Sequence, residues 1–389
     1  GLAALQVECG DPPLDLRRKM LIANFATKTK IIPNHPAREI FEPVGKQQTR
    51  KWKQFFHRYC FRRKQKVSKA PMAKRASVLN EMVARMKPKE LATPAMPPWK
   101  YNPPHFDEGL VGLAKEDPTL LPRALELLDT YRDHTRMYTD ASKIGSRVAV
   151  GGFVPRSSCR FSLRVTDDVS IFTAELTAIK KGMEWMARPD GPAKLALFTD
   201  SYSSVLALKN SANANKSPLV ASTLALIDSI MREGREVTVI WVPSHVGITG
   251  NEAADRLAKS AIKHAEVELV IERELVDFKR AIRKEIMREW QKRWDEESHS
   301  RHYWSIESKV SQKIKFATTP RCKEVAITRL RLGKCRLNHY LKILDLHDTG
   351  LCETCRSPET VEHWVLNCRA TGHPRAKMRR ICRRFKQEP

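Results

Sequence analysis

Between residues 136 and 263 the spacing of apolar positions changes period several times. Short runs with strand character occupy 136–140, 147–154, 159–165, 195–199 and 237–242. Segments 171–187, 202–210, 218–232 and 251–263 instead carry apolar residues at helical spacing. Three strands joined by turns come first; helix, strand, helix, helix, strand, helix follow. That order predicts an α/β domain built on a five-stranded mixed sheet flanked by helices. Three strands meander antiparallel, and two join in parallel through helical crossovers. Gly151-Gly152 and Pro155 predict a bulge or an edge irregularity within this sheet.

Outside this block the pattern is helical or broken. Leu14 to Ile31 has helical spacing and stops before Pro33 and Pro36. Residues 88–122 hold Pro88, Pro94, Pro97, Pro98, Pro103, Pro104, Pro118 and Pro122, too many for continuous helix. Residues 268–300 read as a long charged helix with Trp290 and Trp294 one turn apart. The predicted division is a basic helical segment at 1–87, a Pro-rich linker at 88–133 and the α/β domain at 134–264. A charged helical region at 265–345 and a metal-binding module with a basic tail at 346–389 complete it.

Charge adds a partner to this outline. The chain of 389 residues carries a net +26, yet residues 136–263 contribute only +5, against +11 before and +10 after. A near-neutral block between basic flanks points to a polyanion such as nucleic acid. The densest stretch, 46–89, has 15 Lys and Arg against Glu81 alone, interleaved with Trp52, Phe55, Phe56, Tyr59 and Phe61. That composition suits phosphate contact with base stacking, or equally a solvated amphipathic helix whose rings pack inward.

Nine cysteines in a chain this long do not suggest a disulfide scaffold. Three of them cluster with a histidine, which favours a reducing, intracellular setting, nuclear and cytoplasmic, over secretion. No apolar run approaches the length of a membrane span, and the start lacks a signal-peptide core, so no membrane partner is expected. Because the chain opens on Gly1, it reads as a piece of a longer polypeptide.

Four acids stand in distinctive settings. Asp140 ends Met137-Tyr138-Thr139-Asp140, Glu175 lies in a helical pattern, and Asp200 ends Leu197-Phe198-Thr199-Asp200. Asp255 closes the string from Pro243. A lone strand-end Asp is usually a turn residue or a helix cap. Four that converge from separate elements repel one another unless a cation lies between them, and all-oxygen ligation suits Mg²⁺, with Mn²⁺ as a substitute. Two such ions, roughly 3.5–4 Å apart, are suited to phosphodiester hydrolysis. His245, in a loop with Pro and Gly, is placed to exchange protons near neutral pH. Cys352, Cys355, His363 and Cys368 form C-x₂-C-x₇-H-x₄-C, the donor set of a closed tetrahedral Zn²⁺ site. Trp364 either stacks on a base or packs this module, and Cys335 and Cys382 are set aside as ligands.

The strings Tyr138-Thr139-Asp140-Ala141-Ser142, Thr173-Ala174-Glu175-Leu176, Phe198-Thr199-Asp200-Ser201 and Val242 to Asp255 resemble, in order and spacing, the four motifs of type I ribonuclease H. The resemblance covers about residues 134–264. It implies a ribonuclease H-like fold and an endonuclease that cuts the RNA strand of RNA–DNA hybrids with two Mg²⁺. Asp140, Glu175, Asp200 and Asp255 would be the metal ligands, and His245 would match the family's loop histidine. Hybrid selectivity requires sensing of 2′-hydroxyls, for which Ser142, Ser201 and Asn251 are candidates. The path from Asp200 to His245 is too short for an extra basic substrate-gripping helix, which leaves grip to the flanks. Leu5 to Leu14, followed by Arg17-Arg18, resembles the segment after the polymerase in non-LTR retrotransposon polyproteins. The cysteine cluster is similar to one that follows the nuclease there. No Tyr-x-Asp-Asp string is present, so no polymerase activity is expected. The rival readings are an inactive nucleic-acid-binding remnant and an integrase-like transferase, which would lack the His245-to-Asp255 string.

Overall fold

The computed structural model describes residues 1–32, 35, 97, 100–114, 117–155, 157, 159–312 and 320–384. The basic aromatic run at 46–89 and most of the Pro-rich stretch before residue 100 lie outside the described residues. The chain begins with α1 (Leu2–Cys9), α2 (Leu14–Ile31), β1 (His105–Asp107) and α3 (Leu120–Thr130). Next come β2 (Thr135–Ile144), β3 (Arg147–Phe153), β4 (Arg160–Val165), α4 (Ile171–Met186), β5 (Lys194–Thr199) and α5 (Tyr202–Lys209). A 3-10 turn at Ser211–Asn215 leads to α6 (Pro218–Arg232), β6 (Glu236–Trp241), α7 (Thr249–Ala261) and α8 (Leu275–Glu296). The remaining α-helices among the described residues are α9 (Arg301–Ile306), α10 (Arg321–Arg331), α11 (Asn338–Ile343) and α12 (Gly372–Arg384). Two compact units emerge: Leu21–Ile282, and Gly1–Met20 together with Arg283–Pro389.

The first unit is organised on one mixed sheet of order β1-β6-β5-β2-β3-β4. β2, β3 and β4 pair antiparallel, while β2–β5, β5–β6 and β1–β6 pair in parallel. The five expected strands are all present. The sixth, β1, has three residues and follows Pro103-Pro104, too short to show an alternation of its own.

Side-chain alternation divides the core into two layers. Met137, Leu195, Leu197, Val237 and Val239 pack with Leu176, Ile179 and Met183 of α4 and with Leu224 and Ile227 of α6. Tyr138, Ala196, Phe198 and Ile240 face the other way, onto Ala124 and Leu128 of α3 and Ala254 of α7. Each large apolar side chain buried this way contributes about 1.5–3 kcal/mol over an exposed one. Ser170 and Ser217 start α4 and α6 by accepting from the amides of Thr173 and Val220, and Pro218 occupies the first turn of α6.

Gly151 and Gly152 form no bulge and no edge. They pair in unbroken register with Asp140 and Thr139, and β3 lies between two neighbours. The physical reason for glycine is a close approach. A Cβ on Gly151 would stand 2.4 Å from the Ala254 carbonyl oxygen and 2.5 Å from the Ala258 nitrogen of α7.

The described part of the second unit is built of helices, with one isolated β-bridge between Leu351 and Pro358. Trp290 and Trp294, from the later part of α8, are buried with Tyr303, and the Trp294 indole donates to the Glu307 carbonyl at 2.9 Å. Buried Glu8 accepts from the Tyr303 hydroxyl, and the Arg331 Nε lies 3.1 Å from both of its carboxylate oxygens. Among the described residues no helix is long and apolar enough to cross a membrane.

Candidate active site and metal centres

The sheet register sets two of the acids side by side. Thr139 pairs with Thr199 as the last pair between parallel β2 and β5. Asp140 and Asp200 therefore occupy equivalent positions one residue further, where β5 has ended and β2 continues beside β3. This is where α/β sheets offer side chains to a ligand, beyond the carboxyl ends of parallel strands. Glu175 enters from the second turn of α4, and one oxygen each from Asp140, Glu175 and Asp200 lie within 4.8 Å of one another.

Asp255 stands outside that tight trio but next to it. It comes from α7, and its charge raises both Asp140 and Asp200. Its Oδ2 also accepts from Lys259 at 2.7 Å. The Gly151 contact lets α7 approach β3 this closely, opposite Asp140. Gly250 does the same at the helix start, where a Cβ would collide with the Tyr138 ring at 2.2 Å.

Crowding of acids has an electrostatic signature. Burial, then the charge of Asp200, pushes the Asp140 carboxyl up to about 8, against a hydrogen bond from the Ala141 amide at 2.7 Å. Burial, then Asp140, holds Glu175 well above the usual carboxylate range. Asp200 is raised by burial, opposed by a hydrogen bond from Asn251 and by the charge of His245. The Glu175 Oε2 is buried with no hydrogen-bond partner. An orphaned carboxylate oxygen beside two protonation-prone acids fits a hard divalent cation such as Mg²⁺, whose charge would relieve both penalties.

The other expected residues are placed as follows. His245 is exposed, with φ 58°, in the loop between β6 and α7. Ser142 is half-buried on β2, two residues beyond Asp140. Ser201 is turned inward, its hydroxyl 2.8 Å from that of Ser204. Asn251 is buried, its amide engaged with Asp200 and its Oδ1 without a partner. One contributor was missed in the sequence: the Trp241 indole donates to the Asp200 carbonyl at 3.1 Å. Its position at the end of the 237–242 run is a signal that only strand register turns into a contact.

In the second unit, ligand atoms of Cys352, Cys355, His363 and Cys368 likewise lie within 4.8 Å of one another, and the group includes neither Cys335 nor Cys382. The Cys368 sulfur is 3.7 Å from that of Cys352 and 3.9 Å from that of Cys355. Thiolates at Zn–S of about 2.3 Å in a tetrahedron stand about 3.8 Å apart, so the spacing fits zinc and excludes a disulfide. The His363 Nε2 is buried without a partner, while its Nδ1 lies 3.1 Å from the Ser357 hydroxyl. A partner on one ring nitrogen fixes the orientation in which the other faces a metal. Ser357 was not singled out from the sequence, because a serine between ligands carries no spacing signal. Trp364 is exposed beside the cluster.

The RNase H family profile matches residues 132–263. A curated relative, the retrovirus-related Pol polyprotein from type-1 retrotransposable element R1 of Popillia japonica, is 25% identical over 214 residues, which is 54% of this chain and 81% of that protein. Among solved structures, RNase H1 from the halophilic archaeon Halobacterium salinarum NRC-1 aligns with 33% of this chain and 97% of its own, at 21% identity and a TM-score of 0.28.

Proposed function

We propose that this chain, whose residues 132–263 match the RNase H family profile, is a type I enzyme that hydrolyses the RNA strand of RNA–DNA hybrids. The observation that carries the reading is the convergence of Asp140, Glu175 and Asp200 around a buried, unpartnered carboxylate oxygen. Asp140, Glu175, Asp200 and Asp255 would hold two Mg²⁺. When bound, the cations would stabilise negative charge on the scissile phosphate and on the attacking and leaving oxygens. Asn251 and Trp241 hold Asp200 in place through its carboxylate and its carbonyl. The exposed His245 ring, close enough to Asp200 to act on its charge, moves a proton at a ring nitrogen as the product strand leaves. Ser142, next to the acid on the open part of β2, is the candidate for sensing a 2′-hydroxyl.

Similarity to a retrotransposon Pol polyprotein supports a role in removing element RNA during reverse transcription of a non-LTR element. The zinc cluster, the exposed Trp364 and the basic helix α12 in the second unit are consistent with further nucleic-acid contact. A labelled-hybrid cleavage assay on the full chain tests the nuclease reading. Wild type should cut the RNA strand only with Mg²⁺ or Mn²⁺, and Asp140→Asn should lower the rate by about three orders of magnitude or more. Undiminished cleavage by that variant would refute the site. Mg²⁺-independent hybrid binding by wild type, without cleavage, would favour an inactive binding remnant.

A further inference from the structure

We infer that residues 264–277, beyond the stretch matched to the RNase H family, are a working part of the nuclease, and that Asp277 is a positioning residue for Glu175. The inference rests on the reading of Asp140, Glu175 and Asp200 as a cation site.

After α7 the chain runs along the outer edge of β4. The amides of Glu268 and Leu269 donate to the Arg164 carbonyl at 2.9 and 3.0 Å, and the Arg164 amide donates to the Glu268 carboxylate at 2.8 Å. The Thr166 amide donates to Leu269, and the Ile271 amide to the Thr166 hydroxyl at 2.8 Å. Leu269 and Ile271 pack on the cluster of Val148, Val150 and Val165. The segment thus covers a strand edge that would otherwise present unpaired backbone groups.

It then reaches the helix that carries Glu175. Asp277 is 2% exposed, and its Oδ1 accepts from the Ser170 amide at 2.7 Å and the Thr173 hydroxyl at 2.9 Å. Its Oδ2 accepts from the Glu274 amide at 2.7 Å and is 3.1 Å from the same hydroxyl. Ser170 already caps α4 through its own hydroxyl, so the helix start has a local cap and a borrowed carboxylate. Thr173, fully buried, is the shared point, two residues before Glu175. Three residues earlier, Glu274 accepts from the Leu219 amide at the start of α6. One short stretch therefore fixes the first turns of both helices behind the sheet. Magnesium requires near-ideal ligand geometry, so a small shift of the first turn of α4 reaches the cation through Glu175.

The test uses the full chain with Asp277→Asn, Thr173→Val and the pair combined, plus Thr173→Ser as the conservative replacement that keeps the hydroxyl. Mg²⁺ binding is measured by titration calorimetry well below the melting temperature, with amide hydrogen exchange across α4. Asp277→Asn and Thr173→Val should each weaken Mg²⁺ affinity on the order of tenfold. The combined variant should be no worse than either alone, and Thr173→Ser should bind as wild type. Faster exchange should be confined to the first turn of α4. Variants that melt earlier yet bind Mg²⁺ as wild type would overturn the inference and leave Asp277 a structural brace. A wild-type chain that binds no Mg²⁺ would overturn it together with the cation-site reading, a failure recognised before any variant is made.

Discussion

Asp140, Glu175 and Asp200 share a liability that either a proton or a cation can relieve. Each has its carboxyl raised in the folded chain, Asp140 to about 8. A carboxyl raised by folding binds its proton more tightly in the native state than in the unfolded one. Stability is then greatest below the unfolded value near 4, and is lost as pH rises toward the folded value. In magnesium-free buffer the first unit should therefore melt lower at pH 8 than at pH 5.5, by about 5 °C or more. Asp140→Asn should flatten that slope, and added Mg²⁺ should raise the melting temperature most at the alkaline end. Thermal denaturation followed by circular dichroism across that range checks both, and a slope unchanged in Asp140→Asn would contradict the assignment. At this scale the acids were legible because each ends or enters an element inside a distinctive string. The groups that hold them were not. Trp241 and Asp277 act through the Asp200 carbonyl and the Thr173 hydroxyl, and Asn251, singled out for sensing a 2′-hydroxyl, engages Asp200 instead; such contacts exist only once strands and helices are in place.

The placement of α7 against β3 decides whether Asp255 joins the other acids. It depends on an absent methyl group. Gly151→Ala would put a carbon within 2.5 Å of the α7 backbone at two points, and backbone cannot yield as a side-chain tip can. The substitution should destabilise the unit by about 1–3 kcal/mol or more and slow hybrid cleavage further by drawing Asp255 away. Denaturant melts paired with cleavage rates check this, and wild-type values for both would contradict it. Pattern alone predicted the strands and helices of this unit to within a few residues, since apolar period follows directly from which faces are buried. It missed β1, whose three residues hold one register with β6 and have no period to read, and α3, a core-packed helix inside the stretch read as a Pro-rich linker. It misread Gly151-Gly152 because a glycine pair in a strand signals a bulge and a helix crossing equally well.

At the scale of the whole molecule, two units carry two different donor sets: carboxylate oxygens in one, thiols and an imidazole in the other. The stretch around Cys352 to Cys368 buries little besides Gly350, Cys352 and Cys368, so zinc would supply most of what holds it. Cobalt-substituted chain should show the thiolate charge-transfer and intense visible bands of a tetrahedral Cys₃His site, and Cys368→Ser should abolish them. That variant, or a strong zinc chelator, should also make residues 346–371 the first cut by protease. Resistance to cleavage with the metal removed would contradict a structural zinc. The C-x₂-C-x₇-H-x₄-C spacing made this cluster legible from the chain alone, since ligand identity and local spacing suffice for a small closed site. The long basic run at 46–89 shows the opposite case, for its composition suits two architectures and lies outside the described residues.

The strap along β4 bears on where the first unit can be cut from the rest of the chain. A cassette cut where the RNase H match ends, at residue 263, would travel without Leu269, Glu274 and Asp277, and with them would go its sealed border and the clamps on two of its helices. The smallest piece that could move intact to a new host chain runs on to the early turns of α8.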